Sequence, residues 1–377
     1  MLSRIHHTAP RQLVRGIQTF EALDSQVNIL RNGKMVMAQG SGGRSSRSGY
    51  TVTVFGCAGF AGTSLVSKLG KHGTLVTAPY REEIYKRHLK PAGDLGVVNF
   101  QEFDLRNVRS IEDSVRSSDV VVNLIGRNWS TKNFSFEDVH VEGARRIAEA
   151  AANAGVPRLI HVSSHSADVN STSEFYRTKA LGEQAVKEAY PDATIVRPGP
   201  LYGAQDQFLN YLAFHNYYLT ASGGKEIVYP THIKDFATAL EMMVYDDSTT
   251  GKLYELNGPD ALSMVEIYDM VRESVKRDSM RIVHLPKPIL KAITTFLQYA
   301  AYWEGVITPD IVERQLIDQV LTKGALGYAD LGLTPQHLKD HVRGLTSWHR
   351  SNVYVRDSLE TDVRRKKEDQ SWSNIVD

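Results

Sequence analysis

Apolar positions first organise at Tyr50–Phe55, where they alternate as in a strand. A glycine-rich turn then leads into an apolar-periodic helix running to about Gly70, and Leu75–Ala78 reads as the next strand. The unit strand, turn, helix, strand then repeats along the chain. Val120–Leu124 is an apolar strand broken only by Asn123, and Glu137–Ala154 carries Val141, Ala144, Ile147, Ala148 and Ala151 at helical spacing. Arg158–Val162 is a short β-rich run, followed by a helix from about Phe175 to Ala189 and a strand at Thr194–Arg197. Strands buried on both faces and joined by helices pack as a parallel sheet with right-handed crossovers. The pattern predicts an α/β fold with a doubly wound parallel sheet over residues 50–245. After Tyr245 the parallel rhythm fades, so residues 246–345 are expected to form a smaller C-terminal α/β lobe over the ligand cleft, with 346–377 as a mixed-charge tail.

Composition narrows the class of protein. The 377 residues are 42% hydrophobic and 23% charged with a net charge of +1, which argues against a disordered, collagenous or membrane-embedded chain and gives no reason to expect a nucleic-acid partner. The single cysteine, Cys57, has no partner for an internal disulfide, so packing and hydrogen bonds hold the fold. Residues 1–20 contain Arg4, Arg11 and Arg15 and no acid, with Leu2, Ile5, Leu13, Val14 and Ile17 placed to share one side of a helix. This is the pattern of a mitochondrial presequence. Residues 21–49 end in GSGGRSSRSG and read as an arm or linker ahead of the main fold. From Gln26 through Arg81 there is no Asp or Glu, while Arg31, Lys34, Arg44, Arg47, Lys68, Lys71 and Arg81 are present. That local positive field suits an anionic ligand, or a solvated basic face.

Candidate chemistry concentrates in the turn Gly56-Cys57-Ala58-Gly59-Phe60-Ala61-Gly62. Its first glycine permits a tight turn, the second lets backbone approach a pyrophosphate, and the third allows helix and strand to pack closely. The helix that opens here presents free N–H groups and a positive dipole end to phosphates. Following the first strand of a βαβ unit, the three glycines predict a Rossmann dinucleotide site. Past the second strand comes Arg81-Glu82-Glu83, where an acid would bond the 2′-hydroxyl of NAD and an arginine would pair with the 2′-phosphate of NADP. Arg81 comes first and favours NADPH; Glu82 and Glu83 keep NAD as the alternative.

Further residues carry a resemblance to a known family. They are Asp104-Leu105 after the third strand, Asn123-Leu124-Ile125-Gly126 after the fourth, and Val162-Ser163-Ser164 after the fifth. Tyr176-Arg177-Thr178-Lys179, Arg197-Pro198-Gly199-Pro200-Leu201-Tyr202-Gly203 and His232-Ile233-Lys234-Asp235-Phe236-Ala237 complete the set. With the glycine turn, these residues resemble an atypical, extended short-chain dehydrogenase/reductase over nearly all of residues 50–345. The presequence, YELNGPDALSMVEIYDMV and LPKPILKAITTFLQYAAYW followed by ITPDIVERQL narrow the likeness to the 39/40 kDa accessory-subunit family of mitochondrial NADH:ubiquinone oxidoreductase, respiratory complex I, in its fungal form. The resemblance implies a firmly held NADPH, contacts with other complex I subunits near the ubiquinone site, and a peripheral place on the matrix side of the inner membrane. Carried over position by position, it implies cofactor contacts at Gly56, Gly59, Phe60, Ala61, Gly62, Arg81, Asp104, Leu105, Leu124, Gly126, Lys179 and Pro198.

No catalytic residue is expected. Active relatives place a tyrosine four residues before the helix lysine, and here that position is Phe175, which has no proton to give. Tyr176 lies one residue further on, a rotation of about 100° around a helix. It would serve as acid/base only if a local bulge re-aimed it. Lys179 keeps a role toward the nicotinamide ribose. His161 and His165 lack metal-ligand spacing, so no metal is expected. The helix near Pro288 has Ile289, Leu290, Ile293, Phe296, Leu297, Ala300 and Ala301 along one stripe, too short a run for a membrane span. It suits docking on its own domain, on a partner subunit or on membrane lipid. Two other readings stand beside the accessory subunit: a free mitochondrial NADPH-dependent reductase or epimerase, and a nucleotide-gated sensor of a protein partner.

Overall fold

The computed structural model describes residues 27–350 apart from 32, 41–45, 278, 301–307 and 323. The expected presequence, most of the tail, Ala301 and part of the arm lie outside these residues. The described residues open with a hairpin of β1 (Val27–Ile29) and β2 (Met35–Met37), within the stretch read as an arm or linker. Leu30, Val36 and Ala38 supply the apolar anchors that fasten it to the core.

The main sheet contains β3 (Thr51–Phe55), β4 (Leu75–Tyr80), β5 (Val98–Glu102), β6 (Val120–Asn123), β7 (Arg158–Val162) and β8 (Thr194–Pro198). Five helices accompany it: α1 (Phe60–Lys71), α2 (Val108–Val115), α3 (Gly143–Asn153), α4 (Glu174–Ala189) and, further along the chain, Ile233–Tyr245. Alternation sorts the strands' side chains to two faces. Val52 and Val54 meet Leu65, Val66 and Leu69 of α1 together with Phe236, Leu240 and Met243. Phe55 and Val121 face the other way, onto Ile111, Ile147, Ala148 and Val186.

The remaining strands are β9 (Leu201–Tyr202), β10 (Tyr217–Thr220), β11 (Ile227–Val228), β12 (Thr231–His232), β13 (Leu253–Leu256), β14 (Leu262–Ser263) and β15 (Arg281–His284). The remaining helices are α5 (Leu209–Phe214), α6 (Ile233–Tyr245, already placed), α7 (Met264–Val275), α8 (Lys287–Ala300), α9 (Pro309–Arg314) and α10 (Leu338–Thr346). All seven strands of the sheet run parallel in the order β13-β8-β7-β6-β3-β4-β5. Chain direction across the sheet therefore reverses between β3 and β6, where a doubly wound fold leaves its crevice.

Three differences from the sequence reading have physical causes. Leu253–Leu256, expected in the lobe, is the sheet's edge strand, because its alternation buries Tyr254 and Leu256 beside β8. The lobe also draws on earlier chain, with β10 paired to β15 and β11 to β14, and Leu209, Leu212, Tyr268, Val271, Leu338 and Val342 forming its own core. The helix expected at Glu137–Ala154 begins with a π-helical turn, Asp138–Glu142, which adds a residue to the turn and moves His140 inward.

Helix α8 carries a fourth difference. Leu290 and Thr294 are buried, while Ile289, Ile293, Phe296 and Leu297 are exposed. Lys287 and Lys291 both pair with Glu313, and so turn most of the apolar stripe away from the body. Of the stripe, Leu290 docks on its own domain, in a cluster with Ala221 and Val312, while Ile289, Ile293, Phe296 and Leu297 do not. No helix among the described residues is long and apolar enough to cross a membrane.

Candidate functional site

The crevice at the sheet's switch point is built first from backbone. Gly56, directly after β3, has φ +80°, and a methyl there would stand 3.0 Å from the Leu124 carbonyl carbon after β6. A side chain at Gly62 would overlap the Gly56 carbonyl oxygen, so α1 packs against its own strand only because this position is bare. Gly59 is the N-cap of α1 and has no capping side chain, and no acid stands in the first turn, which leaves the helix start open to an anion. Phe60 and Ala61 open that helix, and the Phe60 ring reaches toward Gly203. Cys57 is a small buried filler: its Sγ lies 3.2 Å from the Pro79 carbonyl oxygen, and burial pushes the thiol up to about 12.

Strand β4 runs two residues beyond its expected end, so Arg81 is the first residue past it. Its exposed guanidinium lies 3.3 Å from Glu82. Asp104 follows β5 and accepts from the Arg106 N–H, while Leu105 packs against Gly143. Leu124 and Gly126 follow β6, and a methyl at Gly126 would stand 3.0 Å from Lys179 Nζ. Pro198 closes β8, and its carbonyl accepts from the His165 N–H. The glycine turn thus meets Leu124, and Gly126 meets Lys179, at the carboxyl ends of β3 and β6. Arg81, Asp104 and Leu105 stand along the same carboxyl edge of the sheet, and Pro198 stands beyond β7.

Lys179 is the charged group at the crevice floor. Burial lowers its ammonium to about 8, against the pull of Glu183. Among the described residues it has one long hydrogen bond, 3.5 Å, to the Val162 carbonyl, so donors remain for a ligand. Among the described residues the buried Ser163 Oγ, just past β7, has no hydrogen-bond partner. Unspent polar groups beside a glycine cradle fit a dinucleotide whose ribose would take hydrogen bonds here.

The redox end is built differently. Phe175, one helical turn before Lys179, is buried against Phe136 and His140. The π-helical turn carrying His140 approaches α4 so closely that a side chain at Gly182 would overlap the His140 carbonyl oxygen. Tyr176 is buried beside it, and burial pushes its phenol up to about 12. Its hydroxyl lies 3.1 Å from His165 Nε2, while His165 Nδ1 lies 3.3 Å from the Pro198 carbonyl oxygen. That carbonyl can only accept, so His165 donates from Nδ1 and receives the phenol's hydrogen at Nε2. Burial also lowers the His165 imidazole to about 4. The Tyr176 proton is committed to an internal acceptor.

A segment absent from the sequence-predicted site covers this end. From α9, Asp310 accepts from Ser173 Oγ at 3.0 Å and from the Glu174 N–H at 2.7 Å, which caps α4 from outside. Arg314 pairs with Asp310 at 2.7 Å, lies 4.0 Å over the Phe175 ring, and donates to the Asn128 carbonyl at 2.6 Å. The i,i+4 spacing of Asp310 and Arg314 signals a helix, but nothing local says where that helix docks. His161 lies within hydrogen-bond distance of Asn123, and no cluster able to hold a metal ion occurs among the described residues.

Known proteins share both fold and sequence with this chain. Residues 52–255 match the NAD-dependent epimerase/dehydratase family. The 40 kDa subunit of NADH-ubiquinone oxidoreductase from Neurospora crassa mitochondria is 45% identical over 377 residues, covering 100% of this chain and 99% of that one. The mouse mitochondrial NADH dehydrogenase (ubiquinone) 1 alpha subcomplex subunit 9 is 35% identical over 333 residues, 86% of this chain and 87% of its own. Among solved structures, an NADPH-dependent quinone oxidoreductase of Escherichia coli in complex with NADPH superposes with a TM-score of 0.62 at 15% identity, covering 78% of this chain and 99% of that one. At that identity the likeness concerns the fold.

Proposed function

The chain belongs to the NAD-dependent epimerase/dehydratase family and, within it, to the family of 40 kDa subunits of mitochondrial NADH:ubiquinone oxidoreductase; from that membership we propose that it is an accessory subunit of respiratory complex I that holds NADPH without turning it over. The observation that carries the second half is Phe175, buried under Arg314 where the proton donor of an active relative would stand. General acid–base work needs a donor within about 2.6–3.2 Å of its target, and the nearby phenol already serves His165.

NADPH supplies a hydride in enzymes that use it, and here it serves as a structural ligand. Gly56, Gly59, Phe60, Ala61 and Gly62 take the pyrophosphate on the start of α1. Arg81 takes the 2′-phosphate, Asp104 and Leu105 lie toward the adenine, Leu124 and Gly126 border the cleft, Lys179 bonds the nicotinamide ribose, and Pro198 lies toward the nicotinamide. Partners are the other subunits of the complex, on its peripheral arm near the quinone site. Location at the matrix face of the inner membrane, held peripherally, is supported by the basic leader and by α8. Its exposed Ile289, Ile293, Phe296 and Leu297, with no acid from Met280 to Trp303, suit the headgroup region of a lipid surface.

The test follows native size. After gentle detergent extraction of mitochondria, the chain is expected to migrate with complex I activity, and purified Tyr176→Phe protein to oxidise NADPH no differently from the parent. Migration as a free small species, or loss of a measurable NADPH oxidation in that variant, would instead point to a free reductase.

A further inference from the structure

The hairpin at the start of the described chain is fastened beneath the sheet, at the strand ends opposite the glycine crevice. Leu30 and Val36 share a core with Tyr50 and Val52. Lys34 Nζ lies 2.7 Å from the buried Asp119 carboxylate, which also accepts from the Thr51 N–H at 2.9 Å. Arg31 pairs with Asp192 at 3.0 Å. Asp119 directly precedes β6 and Thr51 opens β3, so these bonds fix the hairpin to the amino ends of the central strands.

With one face spent on the core, alternation turns the other outward. Ile29 and Met35 oppose each other across the ladder and are 67% and 70% exposed; Met37 is 57% exposed. Residues opposed across a ladder, or two apart along a strand, share a face. Beyond Met37 that face continues to Gln39, which bridges Arg47, and both are exposed. Arg47 makes no ion pair among the described residues, and the sequence has no carboxylate from Gln26 to Arg81 to offer it one. Among the described residues the result is an apolar strip ending in a guanidinium that makes no ion pair, on a platform that is itself tied down.

Contiguous exposed apolar side chains mark interaction surfaces, and methionine adapts its shape to a partner. We propose that the Ile29–Met35–Met37 face docks another protein subunit of complex I, one presenting an apolar strip bordered by a carboxylate that meets Arg47. The proposal rests on the accessory-subunit reading. A protein fits better than an anionic lipid surface because Asp192 and Asp119 neutralise Arg31 and Lys34. Among the described residues of this face one guanidinium remains, little charge for holding headgroups but enough to set the register of a protein contact.

The experiment uses the full chain in cells lacking their own copy. Ile29→Asp/Met35→Asp protein is expected to melt and bind NADPH like the parent, while its share in complex I on native gels falls about tenfold or more; Arg47→Glu falls less, by about threefold. A benzophenone amino acid in place of Met37 should crosslink to a single other complex I subunit. Wild-type-like assembly of the double variant, or crosslinks only to lipid or to a second copy, overturns the proposal; if the double variant fails to fold, the Met37 crosslink decides alone. A parent chain that itself runs free of complex I overturns the subunit reading beneath it, a result distinct from failure of the variants alone.

Discussion

Glu241 illustrates what burial does to a single ionisable side chain. It faces α1 from α6, with Oε1 3.1 Å from His72 Nε2 and Oε2 3.8 Å from Lys68 Nζ. Burial raises its carboxyl to about 7 in spite of the pull of Lys68 and Lys71, and burial likewise lowers His72. A carboxyl raised on folding binds its proton more tightly in the folded chain than in the unfolded one. Its stabilising contribution is therefore complete below the ordinary value of 4.5 and is lost as pH rises toward 7. Glu241→Gln keeps the neutral shape and removes the titration, so the variant should be more stable than the parent at pH 8, by about 2 kcal/mol, and nearly equal to it at pH 4. Urea unfolding at the two pH values measures this. Greater stability of the parent at pH 8 would mean that the pair is held charged.

At the same scale, the residues legible in the sequence are those whose chemistry is local. Gly56 and Gly62 can be read because their backbone demands exclude other residues. His165, Asp310 and Arg314 act only through what folding brings to them, across 11 residues for the His165–Tyr176 bond and 186 for the Arg314–Asn128 bond. No spacing rule reaches that far.

Among the elements, the strands and helices of the sheet were legible because burial on both faces imposes apolar runs, and helices between them impose a second period. Three elements resisted for tertiary reasons. β13 is too short to declare which neighbour it will take, the π-helical turn at Asp138–Glu142 leaves helical periodicity intact, and the facing of α8 is set by Glu313 on another helix. Helix α9 shows the leverage of such a contact, since it caps α4 with Asp310 and covers Phe175 with Arg314. Asp310→Ala should lower stability by about 2 kcal/mol, because it strips both the cap and the ion pair. Asp310→Asn, which retains an oxygen for Ser173 and Glu174, should lose about half of that. Equal losses in the two variants, read by urea unfolding, would assign the contribution to the charge alone.

Across the whole molecule, the proposed NADPH touches the joint between sheet and lobe. The loop after β6 carries Gly126 beside Lys179 and offers the Asn128 carbonyl to Arg314, so a ligand that steadies this loop also steadies α9. A ligand bound only by the folded state adds about 2.7 kcal/mol at a hundred times its dissociation constant. For a chain of this size that corresponds to a rise in melting temperature of roughly 3–4 °C. Because the crevice and the lobe are tied through Arg314, calorimetry should show one transition displaced as a whole, and not a sheet transition moving away from a lobe transition. The rise should also discriminate between nucleotides. Arg81 rests against Glu82 at 3.3 Å, an exposed pair of small worth that a 2′-phosphate can replace with a stronger, charge-assisted contact. Arg81→Ala should therefore abolish most of the NADPH-induced rise and leave any NADH-induced rise within about 1 °C of the parent's. If both rises fall together, Arg81 supports the crevice as a whole and the 2′-phosphate is held elsewhere.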